Sequence, residues 1–315
     1  MRLIFCGTPR FAVPTLEELV EAGHSVPLVV TQPDRPRGRG MELAISPVKE
    51  SALHLGLPVV QPDKIKHNEE FRGQLSGLHP DAIIVVGYGR IIPQWMIDLP
   101  RHGNLNLHAS LLPKYRGAAP IQWAIAEGET ITGVTTMRID AGLDTGDILM
   151  QRELPISADD TAETLAPKLA SAGASLMAET LRAIESDQAR PTPQDNAKAT
   201  LAPILTKDDG RVDFERTATE IFNRQRGFQP WPGAHTLFRG RHLQIHGVRP
   251  LGQEMDQEMG LGPGELRIEA TRLLAGCGKN TAMELIELQP EGKRRMLARD
   301  FINGYQPIPG EKLGR

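Results

Sequence analysis

Residues 81–89 read Asp-Ala-Ile-Ile-Val-Val-Gly-Tyr-Gly. The run from Ala82 to Val86 is continuously apolar, as expected of a strand covered on both faces. It ends at Gly87-Tyr88-Gly89, a backbone able to approach a flat ligand closely, although tight strand-to-helix geometry would need the same glycines. Upstream, Leu3–Cys6 and Ser25–Thr31 are further strand-like runs, and Pro58–Gln61 is a short one. Between them, Phe11 to Val20, Val48 to Leu55 and Phe71 to Leu78 carry helical spacing. Strands alternating with helices through residue 107 predict an α/β fold, a doubly wound and mostly parallel sheet. In such sheets ligands bind beyond the carboxyl ends of the strands.

The next strand downstream, Asn104-Leu-Asn-Leu-His108, alternates polar and apolar residues. Side chains two apart on a strand point the same way, so Asn106 and His108 emerge on one face where the strand runs into a loop. Asp144 follows in the glycine-flanked turn Gly142-Leu-Asp-Thr-Gly146. An amide, an imidazole and a carboxylate are the ingredients of acyl transfer. The amide donates to a developing oxyanion, the imidazole moves a proton, and the carboxylate orients and charges the imidazole. The plain alternative is a satisfied core histidine, with Asn and Asp doing turn chemistry.

With 315 residues, 40% apolar and 24% charged, the chain has the composition of a folded protein of two domains. A net charge of -3 and a pI of about 6.3 give no global electrostatic case for nucleic acid, so any such case rests on local clusters. Cys6 and Cys277 form no CxxC pair, which leaves no metal or disulfide framework and fits a reducing compartment. No apolar run approaches ~18 residues, and the N-terminus lacks the pattern of a signal peptide. These features predict a cytoplasmic protein with no membrane association, and no oligomer signal displaces monomer as the default. Neither Gly7-Thr8-Pro9 nor Gly38-Arg39-Gly40 completes a phosphate loop or a dinucleotide fingerprint.

Further along, Pro120–Ala126 reads as a short helix, Gly133–Ile139 and Ile148–Leu154 as strands, and Thr161–Ile184 as a long helix. Arg190-Pro-Thr-Pro193 and the polar run after it have linker composition. The expected division is therefore a first domain over 1–189, a linker over 190–207 and a second domain over 208–315. In the last, a helix over Thr217–Arg226, a stiff turn over Phe228–Gly233 and several short strands suggest a small β-barrel. Its basic spots are Arg224 with Arg226, Arg239 with Arg241, and Lys293-Arg294-Arg295. In the first domain, Arg35, Arg37 and Arg39 lie on a Pro- and Gly-rich stretch after the second strand. That stretch is either a solvated loop or a flexible arm that meets phosphates and orders on contact.

The motifs LIFCGTPRFA, TQPDRPRGRG, SPVK, VVGYGRIIP, NLHASLLPKYRGAAPIQWAI and GLDTGDIL, with GFQPWPGA and LQPEGKRRM in the second domain, closely resemble the methionyl-tRNA formyltransferase family over nearly the whole chain. The resemblance implies a Rossmann-like formyl-transfer domain joined to an OB-like barrel. It implies transfer of the formyl group of 10-formyltetrahydrofolate to the methionine amine of initiator methionyl-tRNA, with no metal. The family's catalytic trio falls on Asn106, His108 and Asp144, and its folate-contacting segment on Ser110, Leu111, Leu112 and Pro113. The segment lining its pterin pocket falls on the turn with Tyr88 and Gly89, and its tRNA-reaching loop on Gln32 to Gly40, which carries Arg35, Arg37 and Arg39, with Arg39 the best single match. Two other readings compete: a formyltransferase acting on a small amine such as glycinamide ribonucleotide or an amino-sugar nucleotide, and a non-catalytic tRNA- or folate-binding protein.

Overall fold

The structure, a computed structural model, describes residues 1–37, 42–252 and 260–314. In chain order its first elements are β1 (Arg2–Gly7), α1 (Val13–Glu21), β2 (Ser25–Val30), β3 (Arg35–Arg37), β4 (Glu42–Ala44), α2 (Pro47–His54) and β5 (Val59–Val60). Then come α3 (Glu69–Gly77), β6 (Ala82–Val86), α4 (Gln94–Ile97), β7 (Asn104–His108), β8 (Arg116–Gly117) and α5 (Pro120–Ala126). Strands β9 (Ile131–Arg138) and β10 (Ile148–Pro155), helix α6 (Ala162–Glu185) and strand β11 (Leu201–Ala202) follow.

Seven strands make one sheet in the order β10-β9-β7-β6-β1-β2-β5. The five from β7 to β5 run parallel, and β9 and β10 extend the β7 edge antiparallel. All five residues of β6 are buried, as the apolar run demanded of a strand covered on both faces. Chain direction across the sheet switches beside β1, whose last residue Gly7 pairs with Val86 at the end of β6. The Gly7-Thr8-Pro9 and Gly87-Tyr88-Gly89 turns therefore leave the sheet side by side, at the position where open α/β sheets bind ligands. Helices α2 and α3 start at Ser46 and Asn68, whose side chains each accept a backbone N–H of the first turn.

Contacts divide the chain into two compact units. The first comprises Met1–Pro120, Ile131–Pro155 and Ala166–Pro203, and the second Ile121–Thr130, Ile156–Leu165 and Ile204–Arg315. Residues of linker composition up to Pro203 thus belong to the first unit. There, β11 pairs in parallel with β8, and Thr192 bridges to Ile148.

The second unit adds α7 (Ala218–Gly227), β12 (Ala234–Phe238), β13 (Arg241–Pro250), β14 (Leu266–Glu269), β15 (Arg272–Cys277), β16 (Thr281–Pro290), β17 (Met296–Leu297) and α8 (Ala298–Tyr305). Its strands form an antiparallel path β12-β13-β16-β15-β14, with β17 on β16, an arrangement compatible with the expected barrel. Thr217 and Glu220 close a reciprocal capping box at the start of α7. Helix α8 was not expected, although Ala298, Phe301, Ile302 and Tyr305 have helical spacing. Within it Phe301 stacks on Tyr305 at 4.7 Å, and both rings meet Phe238 of β12 edge-on, at 5.1 and 6.4 Å, which docks the helix.

Candidate active site

Strand β7 lies between β6 and β9, and strand alternation puts Asn104, Asn106 and His108 on one face. They do different work. Asn104 is buried and donates to the carbonyls of Met96 and Ile97 at 2.8 and 3.1 Å, so its amide pins the α4 turn. Asn106 is only half-buried, and no hydrogen bond holds its side chain among the described residues. His108 is buried, with Nε2 2.9 Å from the Tyr115 carbonyl oxygen. A carbonyl can only accept, so Nε2 carries a proton and Nδ1 is the nitrogen that exchanges one.

Asp144 faces that nitrogen, with Oδ2 3.7 Å from His108 Nδ1. This is ion-pair range for a charged imidazole but too long for a hydrogen bond. The carboxylate's close partner is instead the Gly117 backbone N–H, which donates to Oδ2 at 2.9 Å. Gly117 has φ +121, and a Cβ there would lie 2.7 Å from the Ala202 carbonyl oxygen. The site therefore needs glycine beside the carboxylate. Asp144 itself sits at φ +53, left-handed backbone that Asp tolerates better than most residues. Its turn is closed by Asp140, whose Oδ1 accepts from Thr145 Oγ1 at 2.7 Å and from the Gly142 N–H at 3.0 Å.

The Ser110–Pro113 segment turns immediately after His108. Its Leu112-Pro113 peptide is cis. Ser110 is buried and its hydroxyl already donates to the Lys114 carbonyl at 2.6 Å. Leu112 is buried too, its N–H on Thr135 Oγ1 and its carbonyl taken by Gln151 Nε2. Leu111 and Pro113 are half-exposed, so they and the backbone are what this segment presents.

The turn after β6 divides in the same way. The Tyr88 ring is buried among Ile4, Cys6, Ile83 and Met96, its hydroxyl has no hydrogen-bond partner among the described residues, and burial pushes the phenol up. The Tyr88 carbonyl accepts from Thr8 Oγ1 and Gln32 Nε2, so Tyr88 anchors the turn by its ring while Gly89 stays exposed. Beyond Gly89 opens a cleft of about 520 Å³. Ile91, Ile92, Pro93 and Ile97 give it apolar walls, Ala141 of the Asp144 loop borders it, and Lys64, Lys66, His67 and Arg90 give it a basic rim. Its size is that of a small-molecule site. Sequence reading missed this rim, because the lysines come from an irregular stretch with no motif of its own.

Arg35 is exposed on β3, which pairs antiparallel with β4. Arg37 lies on the same strand, and Arg39 lies outside the described residues. The chain entering β3 is fixed by Asp34, which pairs with Lys49 and accepts from Gln61 Nε2 at 2.7 Å. The Lys49 and Gln61 hydrogen bonds hold the Asp34 carboxyl below the usual carboxylate range.

Residues 1–181 match the family described as Formyl transferase, and 204–306 match Formyl transferase, C-terminal domain. A methionyl-tRNA formyltransferase of Koribacter versatilis is 66% identical over 315 residues, covering 100% of this chain and 99% of that one. Another, of Acidobacterium capsulatum, is 62% identical and covers both chains fully. Among solved structures, the sugar 3N-formyl transferase WlaRD, in the presence of dTDP and 5-N-formyl-THF, superposes with a TM-score of 0.66 at 19% identity. That match covers 93% of this chain and 99% of WlaRD, and it speaks for the fold alone. With near-complete coverage at this identity, and both formyl transferase domains in order, the chain belongs to the methionyl-tRNA formyltransferase family.

Proposed function

We propose that the chain moves the formyl group of 10-formyltetrahydrofolate onto the α-amine of methionine carried by initiator tRNA. The observation that supports this reading is Asp144 Oδ2 lying 3.7 Å from His108 Nδ1, on the strand whose alternation puts Asn106 on the same face as His108, in a chain of this family. The 520 Å³ cleft suits the donor: apolar walls for a flat heterocycle, and Lys64, Lys66 and Arg90 for the carboxylates of its tail. Leu111, Pro113 and the backbone at Gly89 are the proposed contacts nearer the reacting carbon. No metal is needed for this chemistry.

A free α-amine has a pKa near ~8, and esterification of its carboxyl lowers it, so much of the nucleophile is already neutral. Catalysis then has two tasks. Asn106 donates a hydrogen bond to the formyl oxygen as the amine adds and that oxygen becomes negative. His108 Nδ1 accepts the proton lost by the attacking nitrogen and returns it to folate N10 as the bond from N10 to the formyl carbon breaks. Asp144 stabilises the imidazolium formed in between. One C–N bond forms, one breaks, and the proton travels from the amine to N10.

The proposed tRNA contacts are Arg35, Arg37 and Arg39, acting on phosphates. The proposed working form is a cytoplasmic monomer, with a catalytic domain over 1–189, a linker over 190–207 and a C-terminal domain over 208–315. The test is formyl transfer with three acceptors in parallel: charged initiator tRNA, charged elongator methionine tRNA and glycinamide ribonucleotide. Fast transfer to the initiator alone is expected. Transfer to the ribonucleotide with no preference for tRNA would overturn the acceptor assignment.

A further inference from the structure

The turn that carries Asp144 is held from outside its own loop. Gln194 Nε2 donates to the backbone carbonyls of Asp144, at 2.8 Å, and Gly146, at 2.7 Å. Gln194 Oε1 accepts from Arg116 Nε and Nη2 at 3.1 and 2.7 Å, and the same Nη2 donates to Asn196 Oδ1 at 2.8 Å. Both hydrogens and both lone-pair sites of the Gln194 amide are therefore used. Its orientation is also unambiguous, because carbonyls only accept and a guanidinium only donates. Arg116 is buried, which fixes the far end of the chain of contacts.

The main chain makes the same connection. Thr192 and Ile148 exchange hydrogen bonds at 2.8 and 2.9 Å. The Arg116 N–H donates to the Thr200 carbonyl at 2.9 Å, and the Tyr115 N–H to Thr200 Oγ1 at 2.9 Å. Residues 192–202 thus strap two loops together. One carries the Tyr115 carbonyl against His108 and the Gly117 N–H on Asp144; the other carries Asp144 itself. Side-chain bonds within the second loop run through Asp140, whereas Asp144 is gripped at its carbonyl by Gln194 and at its carboxylate by Gly117.

We propose that Gln194, oriented by Arg116, is a positioning residue that sets the Asp144 carboxylate against His108. It deepens, and rests on, the reading of Asp144 as part of the reacting centre. A misplacement of about 1 Å in such a group costs on the order of 10² in rate, so the strap affects turnover rather than affinity.

The experiment uses the full-length protein and four variants: Gln194→Ala, Gln194→Glu, Asp144→Asn, and Gln194→Ala combined with Asp144→Asn. Gln194→Glu keeps an acceptor oxygen for Arg116 at nearly the same size, while the two donations to the turn are replaced by a charged carboxylate oxygen set against the Asp144 and Gly146 carbonyls. Initial rates of formyl transfer give kcat and the KM of each substrate, and thermal melting reports folding. Gln194→Ala and Gln194→Glu are each expected to lower kcat by roughly 10- to 100-fold. Both KM values should stay within about 2-fold and Tm within a few degrees. In the Asp144→Asn background, Gln194→Ala should cost less than about 2-fold more, because residues acting through one group are not additive. Wild-type kcat in Gln194→Glu, or the same loss from Gln194→Ala in both backgrounds, would overturn the positioning role. If Asp144→Asn alone retains wild-type kcat, the reading of Asp144 falls first and this inference with it. A slow Asp144→Asn beside a wild-type Gln194→Glu removes this inference alone.

Discussion

The candidate site of the first unit and the basic spots of the second differ in how far their polar side chains are already taken. In the first, some polar groups at the carboxyl ends of strands are left with capacity to spare: the Asn106 amide, His108 Nδ1 and the rim lysines Lys64 and Lys66, whereas Arg90 of the same rim is held by Gln32 and the Asp63 carbonyl. In the second, several arginines that look available in sequence are spoken for. Arg224 lies over Trp123 and Phe228 at 5.5 and 4.8 Å, and Arg226 donates to the carbonyls of Ser157 and Asp160. Arg239 holds Glu311 through two hydrogen bonds, and Arg295 reaches His246 and Glu287. Burial pushes the Arg224 and Arg226 guanidinium pKa values down from their ordinary range, which marks them as parts of the packing. The difference shows why a count of basic residues is a poor guide to a nucleic-acid surface: what matters is which cations keep no partner of their own.

The sharpest way to break that contrast is to remove the polar groups with spare capacity. Asn106→Ala should lower kcat by about 10² to 10³, the typical cost of losing one oxyanion donor, with Tm unchanged within a few degrees. Steady-state formyl transfer checks it; a variant within 3-fold of wild type would place the oxyanion donor elsewhere. Next in size is Gly117→Ala. Its Cβ would meet the Ala202 carbonyl, and φ +121 does not suit a side chain, so the N–H on Asp144 must move. A loss of roughly 10-fold in kcat and about 1–3 kcal/mol of stability is expected, read by kinetics and denaturant melts.

Smaller effects test the arginines themselves. Arg35→Ala should weaken tRNA binding and reduce the slope of log affinity against log salt by about 0.7–0.9, the share of one phosphate contact. Arg239→Ala should leave that slope unchanged, because its guanidinium is already paired with Glu311. Equal slope changes in the two variants would erase the contrast between the units. The smallest effect concerns Glu311. The Arg239 hydrogen bonds hold its carboxyl below the ordinary glutamate range. A depressed folded-state value stabilises the fold above the unfolded value near ~4.3 and loses that contribution as pH falls through the folded value. Glu311→Gln should therefore lower Tm by at most about 2–4 °C at pH 7, with the gap closing toward pH 3. A gap that widens in acid would contradict the sign.

What the sequence made legible follows from how local each signal is. The parallel sheet was readable because β6 is a short apolar run and because strands and helices alternate in order. The pairing of Asn106 with His108 was readable from strand periodicity alone. Helix α8 was readable in principle from Ala298, Phe301, Ile302 and Tyr305, but it follows short strand-like pieces whose texture masks it. The contacts that set Asp144 were not readable. Gly117, Tyr115 and Gln194 act through backbone groups or across long loops, and no spacing rule links Gln194 to Asp144. Likewise, the strand alternation that exposes Asn106 also places Asn104 on its face, and only its burial and its hydrogen bonds to the Met96 and Ile97 carbonyls show that Asn104 serves α4 instead.

The most direct test of the account is the single-turnover rate of formyl transfer from 10-formyltetrahydrofolate to initiator methionyl-tRNA in His108→Ala, with both substrates pre-bound so that only the chemical step is read. If His108 Nδ1 carries the proton beside Asp144, that step should slow by roughly 10² to 10⁴ while binding of both substrates stays near wild type. A chemical step at the wild-type rate would contradict the assignment of the reacting centre to the end of β7.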